Sequence, residues 1–249
     1  MNGCTPIPSF FIGWDVGGWN CDRNPRSRDA LVILDSERAF VGKPWRGNLR
    51  THINETSTTG DWIWKLFNLC AAVPPGRSVQ ITMAIDTPLG FSEEFVRLVV
   101  DLNYAEPVGS SDTNSYLFRR TERHLFEQGL SPLSAIKDMI GSQSTKGMHV
   151  LAKFAPYYES CGVWTDGKGF SAIETYPAAC NNSQMMKDML KDQKPLNADD
   201  LEDAWICALV AYVFVKDSSA LEPPGDNVPP REGWIWMPRD VFGAQEYKR

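Results

Sequence analysis

Histidine is scarce in this chain, and its cysteines lack the spacings that hold zinc. The 249 residues include three histidines and six cysteines, and no two cysteines form a Cys-x-x-Cys pair. Zinc sites usually need closely spaced sulfur and nitrogen ligands, so the sequence gives no sign of a zinc-binding protein. We interpret the cysteines as free, buried thiols of a cytosolic protein and expect a cytoplasmic location.

Excess positive charge and long apolar runs are also missing. The formal net charge is -6, which excludes a simple basic coat for nucleic acid but leaves a locally basic channel open. The longest strongly apolar run, residues 206–215, is shorter than the about 20 residues of a membrane-spanning helix. Residues 1–11 lack the basic and apolar segments of a secretory signal. We therefore expect no membrane partner.

The overall composition is that of an ordinary globular protein. Hydrophobic residues make up 43% of the chain and charged residues 22%. We predict a single α/β domain over residues 1–249, with a helical insertion at about residues 104–165 and a C-terminal tail at residues 218–249.

One stretch, residues 199–215, is predicted to form a helix with acids in its first turn. At about 100° per residue, one stripe of this helix carries two acids and three small residues, namely Asp200, Asp203, Ala204, Cys207 and Ala211. Small residues allow close packing on a sheet, which would bring both acids to one sheet edge. Asp199 and Glu202 resemble a capping box. The alternative for Asp200 and Asp203 is simple compensation of the helix dipole.

The remaining pattern alternates strands and helices. Predicted strands cover residues 9–15, 30–34, 38–41, 79–85 and 170–174, and predicted helices cover residues 61–72, a segment capped by Ser92, most of 115–157, and 183–191. Residues 43–58 are interpreted as a polar loop. Three strands end in an acid: Asp15, Asp86 and Glu174.

These acids are predicted to meet at one edge of the sheet. Parallel strands separated by helices place their carboxyl ends on the same side, where open α/β sheets bind ligands. Clustered carboxylates repel one another unless they share protons or cations. Oxygen ligands with few histidines suit Mg²⁺ or Mn²⁺ better than zinc.

Five motifs together resemble a known family. They are Phe-Ile-Gly-Trp-Asp-Val-Gly-Gly at 11–18, Ala-Ile-Asp-Thr-Pro-Leu-Gly at 84–90, Phe-Arg-Arg-Thr-Glu-Arg at 118–123, Ile-Glu-Thr-Tyr-Pro at 173–177 and Asp-Leu-Glu-Asp-Ala at 200–204. In this order they resemble the predicted nucleases with a ribonuclease H fold, a domain-of-unknown-function family. The resemblance runs from about residue 10 to residue 215.

The resemblance implies a fold and a chemistry. The implied fold is a mixed five-stranded sheet flanked by helices, with its first three strands antiparallel. The implied activity is two-metal hydrolysis of nucleic-acid phosphodiesters, with Mg²⁺ or Mn²⁺ as cofactor and Asp15 bridging the two ions. The implied catalytic residues are Asp15, Asp86, Glu174, Asp200 and Asp203; all except Glu174 would bind metal, and the role of Glu174 is open.

Nucleic acid is the expected partner, and its phosphates need positive charge. Residues 116–153 hold six basic and three acidic side chains, a net charge of +3. We expect Arg119, Arg120 and Arg123 to bind substrate phosphates. The alternatives are a solvated helix face or structural salt bridges to the acids.

Two other functions fit the same sequence. The first is an ATP-dependent kinase or ATPase of the actin and sugar-kinase type, because Asp15-Val-Gly17 resembles the first phosphate motif of that superfamily; however, no second glycine-rich phosphate loop follows a later strand. The second alternative is a binding protein that keeps the fold without catalysis.

Overall fold

The computed structural model describes residues 7–24, 26–76 and 78–242, and these are built around one mixed sheet. The sheet has seven strands in the order β3-β2-β1-β4-β7-β6-β5. The strands are β1 (Ser9–Asp15), β2 (Asp29–Leu34), β3 (Trp45–Gly47), β4 (Gln80–Asp86), β5 (Tyr157–Ser160), β6 (Val163–Thr165) and β7 (Phe170–Glu174). The protein is therefore an α/β protein, with two more strands than the resemblance implied.

The strand directions place three carboxyl ends on one edge. β1, β4 and β7 run parallel to one another, and the hairpins β1–β2–β3 and β7–β6–β5 are antiparallel. The expected antiparallel arrangement of the first three strands is confirmed. The acids that end β1, β4 and β7 thus share one edge of the sheet.

The third strand lies later in the chain than predicted. The predicted strand at residues 38–41 contributes only an isolated bridge between Phe40 and Leu34. Its start is a tight turn, because the Asp35 carboxylate accepts hydrogen bonds from two backbone amides and Arg38 adopts a φ of 63°. Residues 43–58, which were interpreted as a polar loop, instead contain β3 and a short helix at Arg50–Glu55.

β5 and β6 lie within the segment that was predicted to be a helical insertion. β5 has four residues, all exposed, and β6 has three. Segments this short do not show a recognisable alternation of buried and exposed side chains, so sequence periodicity did not reveal them.

Eight α-helices belong to the described part of the chain. They are α1 (Arg50–Glu55), α2 (Thr59–Leu69), α3 (Glu93–Asp101), α4 (Arg120–Glu127), α5 (Gly141–Phe154), α6 (Pro177–Cys180), α7 (Gln184–Leu190) and α8 (Asp199–Lys216). The predicted cap of α3 is confirmed, since the Ser92 side chain accepts a hydrogen bond from Phe95 N. None of the helices in these described ranges is long and apolar enough to cross a membrane.

Helix α8 lies directly on the sheet. A Cβ atom at Gly13 of β1 would stand 1.8 Å from the carbonyl oxygen of Ala204, so only glycine permits this approach. The stripe of small residues is completely buried, as predicted; its members are Ala204, Cys207 and Ala211. The predicted capping box is wrong: the N-cap is Ala198, and the Glu202 carboxylate accepts a hydrogen bond from Leu196 N.

Four of the cysteines are buried and free, as expected, but Cys161 is only half-buried. Cys4 lies outside the described residues. The C-terminal segment 234–237 packs beside β7, where Trp236 N donates a hydrogen bond to the Glu174 carbonyl at 2.8 Å. This segment closes the core next to the carboxyl end of β7.

Candidate active site

Asp15 and Asp86 stand side by side at the shared sheet edge. They are the last residues of β1 and β4 and are register partners in the parallel ladder. Both side chains are half-buried. Within the described part of the chain, neither carboxylate has a hydrogen bond or an ion pair. Two acids are thus packed together without a compensating cation.

Asp203 of α8 completes this group. Burial, followed by the charges of Asp203 and Glu174, raises the pKa of Asp86 to about 8. Burial also raises the pKa of Asp15 well above its usual value, followed by the charges of Asp86 and Asp203. The pKa of Asp203 rises to about 6, through burial and then the neighbouring acids of its own helix. We call Asp15, Asp86 and Asp203 the unpaired carboxylates.

The charges of the same three acids also act on the thiol of Cys207. It is fully buried one helical turn after Asp203. Burial raises the pKa of this thiol most strongly, and the charges of Asp86, Asp15 and Asp203 raise it further, in that order. All three unpaired carboxylates therefore act on the same buried atom.

Asp200, the second acid of α8 that was predicted to bind metal, forms an ion pair. Its carboxylate accepts a hydrogen bond from Arg46 Nε at 2.6 Å and one from Arg28 N at 3.4 Å. Arg46 belongs to β3, on the far side of β2 from the sheet centre. The sequence grouped Asp200 with the metal ligands, whereas the structure ties it to an arginine.

Glu174 also has a full set of partners. Arg119 Nη2 donates to Glu174 Oε1 at 2.6 Å, Arg119 Nη1 donates to Glu174 Oε2 at 2.8 Å, and Leu89 N donates to Oε2 at 2.9 Å. Arg119 Nε binds Glu122 Oε1 at 2.9 Å as well. Arg119, Glu122 and Glu174 are each at most 2% exposed. They form a buried network of ion pairs, so Glu174 is not a free acid.

The three arginines expected to bind phosphate therefore differ in their surroundings. Arg119 is engaged inside the protein, and presenting it to a substrate would leave two buried carboxylates unpaired. Arg120 forms an ion pair with Glu94 at 3.5 Å. Nε and Nη2 of Arg123 are buried without a partner in the described residues. The structure thus favours the salt-bridge alternative for Arg119.

A second buried ion pair was not predicted at all. Asp29 and Lys146 contact each other with both side chains 0% exposed. Asp29 also accepts hydrogen bonds from Trp14 Nε1 and from the amides of Gly17 and Leu49, at 3.0, 3.0 and 2.6 Å. In the sequence, Lys146 is followed at intervals of four residues by Val150 and Phe154, a spacing that places all three on one face of a helix. This spacing could have indicated that Lys146 is buried.

A cleft of about 400 Å³ opens beside Asp15 and Asp86, and the arginine-bound Glu174 also lines it. Asp15 and Asp86 form part of its floor, and Pro132, Leu133, Ile140 and Gln143 form the opposite wall. The cleft is therefore enclosed between the sheet edge and the segment that joins α4 to α5.

Metal binding would need some movement of these side chains. Across the described ranges 7–24, 26–76 and 78–242, no three His, Cys, Asp or Glu side chains are grouped closely enough to form a ready metal site. The unpaired carboxylates match hard cations in ligand type, since they offer oxygen atoms that no other group neutralises.

Comparisons with known proteins add no further constraint. No protein-family model matches the chain, and neither curated proteins nor solved structures give a significant match.

Proposed function

We propose that this protein is a metal-dependent nuclease with a ribonuclease H-like architecture. The observation that carries the proposal is the register pairing of Asp15 with Asp86 at the ends of parallel strands, with Asp203 acting electrostatically on both. The ordered motifs that resemble the predicted nuclease family support it. Nucleic acid is the proposed partner.

Asp15, Asp86 and Asp203 would hold Mg²⁺ or Mn²⁺. When bound, two such cations would activate a water molecule and stabilise the leaving oxygen of a phosphodiester. Burial, followed by the charges of both other acids, raises the pKa of Asp15. Asp86 and Asp203 must give up their protons to bind a cation, which makes binding pH-dependent.

Asp200 and Glu174 would support the site through other residues. Arg46 fixes Asp200 at the start of α8, and Arg119 fixes Glu174 at the end of β7. These pairs orient the helix and the strand that border the unpaired carboxylates. The carboxylate oxygens of both acids already accept hydrogen bonds from arginine, so neither acid offers a free ligand atom.

A nuclease assay on purified protein tests the proposal. Wild type with Mn²⁺ or Mg²⁺ should cleave DNA or RNA, and chelation should abolish cleavage. Asp15→Asn should reduce cleavage by at least about 100-fold, the scale of lost transition-state charge stabilisation. Asp226→Asn, which changes an exposed acid in the C-terminal tail, is the matched control and should retain full activity. Equal cleavage by Asp15→Asn and wild type would point to a contaminating nuclease and remove the proposal.

A further inference from the structure

The cleft lined by Asp15 and Asp86 is small. Its volume of about 400 Å³ lies near the lower end of the about 300–1,000 Å³ range of small-molecule sites. A site of that size accommodates one nucleotide, whereas a base-paired duplex would have to bring a second strand against the opposite wall.

The chemistry of that wall does not suit a second phosphate backbone. Neither lysine nor arginine is present among the described residues that line the cleft. The wall is largely apolar, and Leu133 remains 54% exposed. An apolar surface can pack against a sugar or a base, but it offers no compensation for phosphate charge.

The wall is also held in place at both ends. Tyr176 Oη, beside the floor, donates a hydrogen bond to the Ser131 carbonyl at 3.2 Å. At the other end, Ser142 Oγ accepts a hydrogen bond from Trp19 N at 2.9 Å, and buried Lys146 binds the Gly17 carbonyl at 3.1 Å. Widening the cleft for a duplex would require breaking these contacts.

We infer that the substrate enters this cleft as an unpaired nucleotide, so the protein acts on single strands or unpaired strand ends and not on intact duplex. The inference rests on the proposed nuclease function. Extracting a nucleotide from a duplex costs a few kcal/mol, and each 1.4 kcal/mol is a factor of ten. Single strands should therefore be cleaved at least about 100-fold faster than the same sequence in a duplex.

The test compares one labelled 30-nucleotide strand in three forms with Mn²⁺: linear, annealed to its complement, and covalently circular. DNA and RNA versions are both used. Faster cleavage of the linear strand than of the duplex supports the inference. If the circle is also cleaved, an internal nucleotide of the strand can enter the cleft. If the circle is not cleaved, only a strand end enters. Cleavage of duplex within threefold of single strand overturns the inference while leaving the nuclease proposal intact.

A substitution in the wall separates this inference from the nuclease proposal. Leu133→Glu places a negative charge in the cleft and should reduce single-strand cleavage at least tenfold, with Mn²⁺ stabilisation retained. Leu102→Glu is the matched control, because Leu102 is 85% exposed at the end of α3 and does not line the cleft; its cleavage rate should equal wild type. Equal rates for both variants would overturn the inference. Absence of cleavage of every substrate would remove the nuclease proposal and this inference with it.

Discussion

The buried and half-buried charged groups of this protein are of two kinds, which differ in whether a positively charged side chain balances each acid. Arg119 forms ion pairs with Glu122 and Glu174, and Lys146 forms an ion pair with Asp29, and all of these side chains are buried. The unpaired carboxylates Asp15, Asp86 and Asp203 have no cation among the described residues. The paired groups join distant parts of the chain, whereas two of the unpaired carboxylates, Asp15 and Asp86, line the cleft.

The difference shows which acids are available for chemistry. A buried carboxylate with an arginine partner is already stabilised as an anion, so a cation would have to compete with that arginine. The unpaired carboxylates have raised pKa values, because burial and mutual repulsion disfavour their charged forms. Burial also raises the pKa values of the paired acids Glu122 and Asp29, but there Arg119 and Lys146 act in the opposite direction. A divalent cation would relieve this repulsion.

The largest expected effect comes from breaking the Arg119 network. Arg119→Met leaves two buried carboxylates without a positively charged partner, so the free energy of unfolding should fall by about 3–5 kcal/mol in chemical denaturation. Arg97→Met is the control, because Arg97 pairs with Glu93 on an exposed helix face, where such pairs contribute about 0.3–0.5 kcal/mol. Similar losses in both variants would contradict the assignment of Arg119 to a buried structural role.

The pH dependence of stability should reveal the raised pKa of Asp86. Its folded-state pKa of about 8 lies above the unfolded value of about 3.9, so the folded protein binds this proton more tightly. The resulting stability is fully present below the unfolded pKa and is lost as pH rises through about 8. Denaturation curves from pH 4 to pH 9 should show a smaller fall for Asp86→Asn than for wild type. Parallel curves would show that Asp86 is not destabilised in the folded state.

The two helix acids should respond differently to metal. Asp203→Asn should remove most of the increase in melting temperature that Mn²⁺ gives wild type, because metal binding stabilises the folded state by linkage. Asp200→Asn should keep that increase but lose about 1–3 kcal/mol of stability without metal, since it weakens the bond to Arg46. The reverse pattern would assign Asp200 to the metal site, as the sequence predicted.

The smallest expected effect is that of Arg120. Its ion pair with Glu94 joins side chains that are 42% and 20% exposed, so Arg120→Ala should change the free energy of unfolding by less than about 1 kcal/mol. If Arg120 contacts a substrate phosphate, the salt slope of single-strand binding should fall by about 0.7. An unchanged slope would leave Arg120 a purely structural role.

The sequence predicted the parts of the fold that depend on local pattern. The strands that end in Asp15, Asp86 and Glu174 were recognisable because each combines an apolar run with a terminal acid. Helix α8 was recognisable from its small-residue stripe, which the contact at Gly13 explains. Short strands such as β6 leave no comparable pattern.

The partners of each acid could not be predicted, because pairing depends on contacts between distant residues. Arg119 reaches Glu174 across 55 positions, and Lys146 reaches Asp29 across 117. Sequence reasoning therefore placed five acids in one group, while the structure divides them into three unpaired carboxylates and two acids held by arginines. The tertiary fold makes this division.

Calorimetric titration with Mn²⁺ at pH 7 tests the central claim, that the unpaired carboxylates form a cation site. Wild type should bind Mn²⁺ and release protons, because Asp86 has a pKa of about 8 and is largely protonated at that pH. Repeating the titration in two buffers of different ionisation enthalpy counts those protons. Asp15→Asn should bind at least tenfold more weakly. Absence of Mn²⁺ binding by wild type, or equal affinity in the variant, would contradict the account.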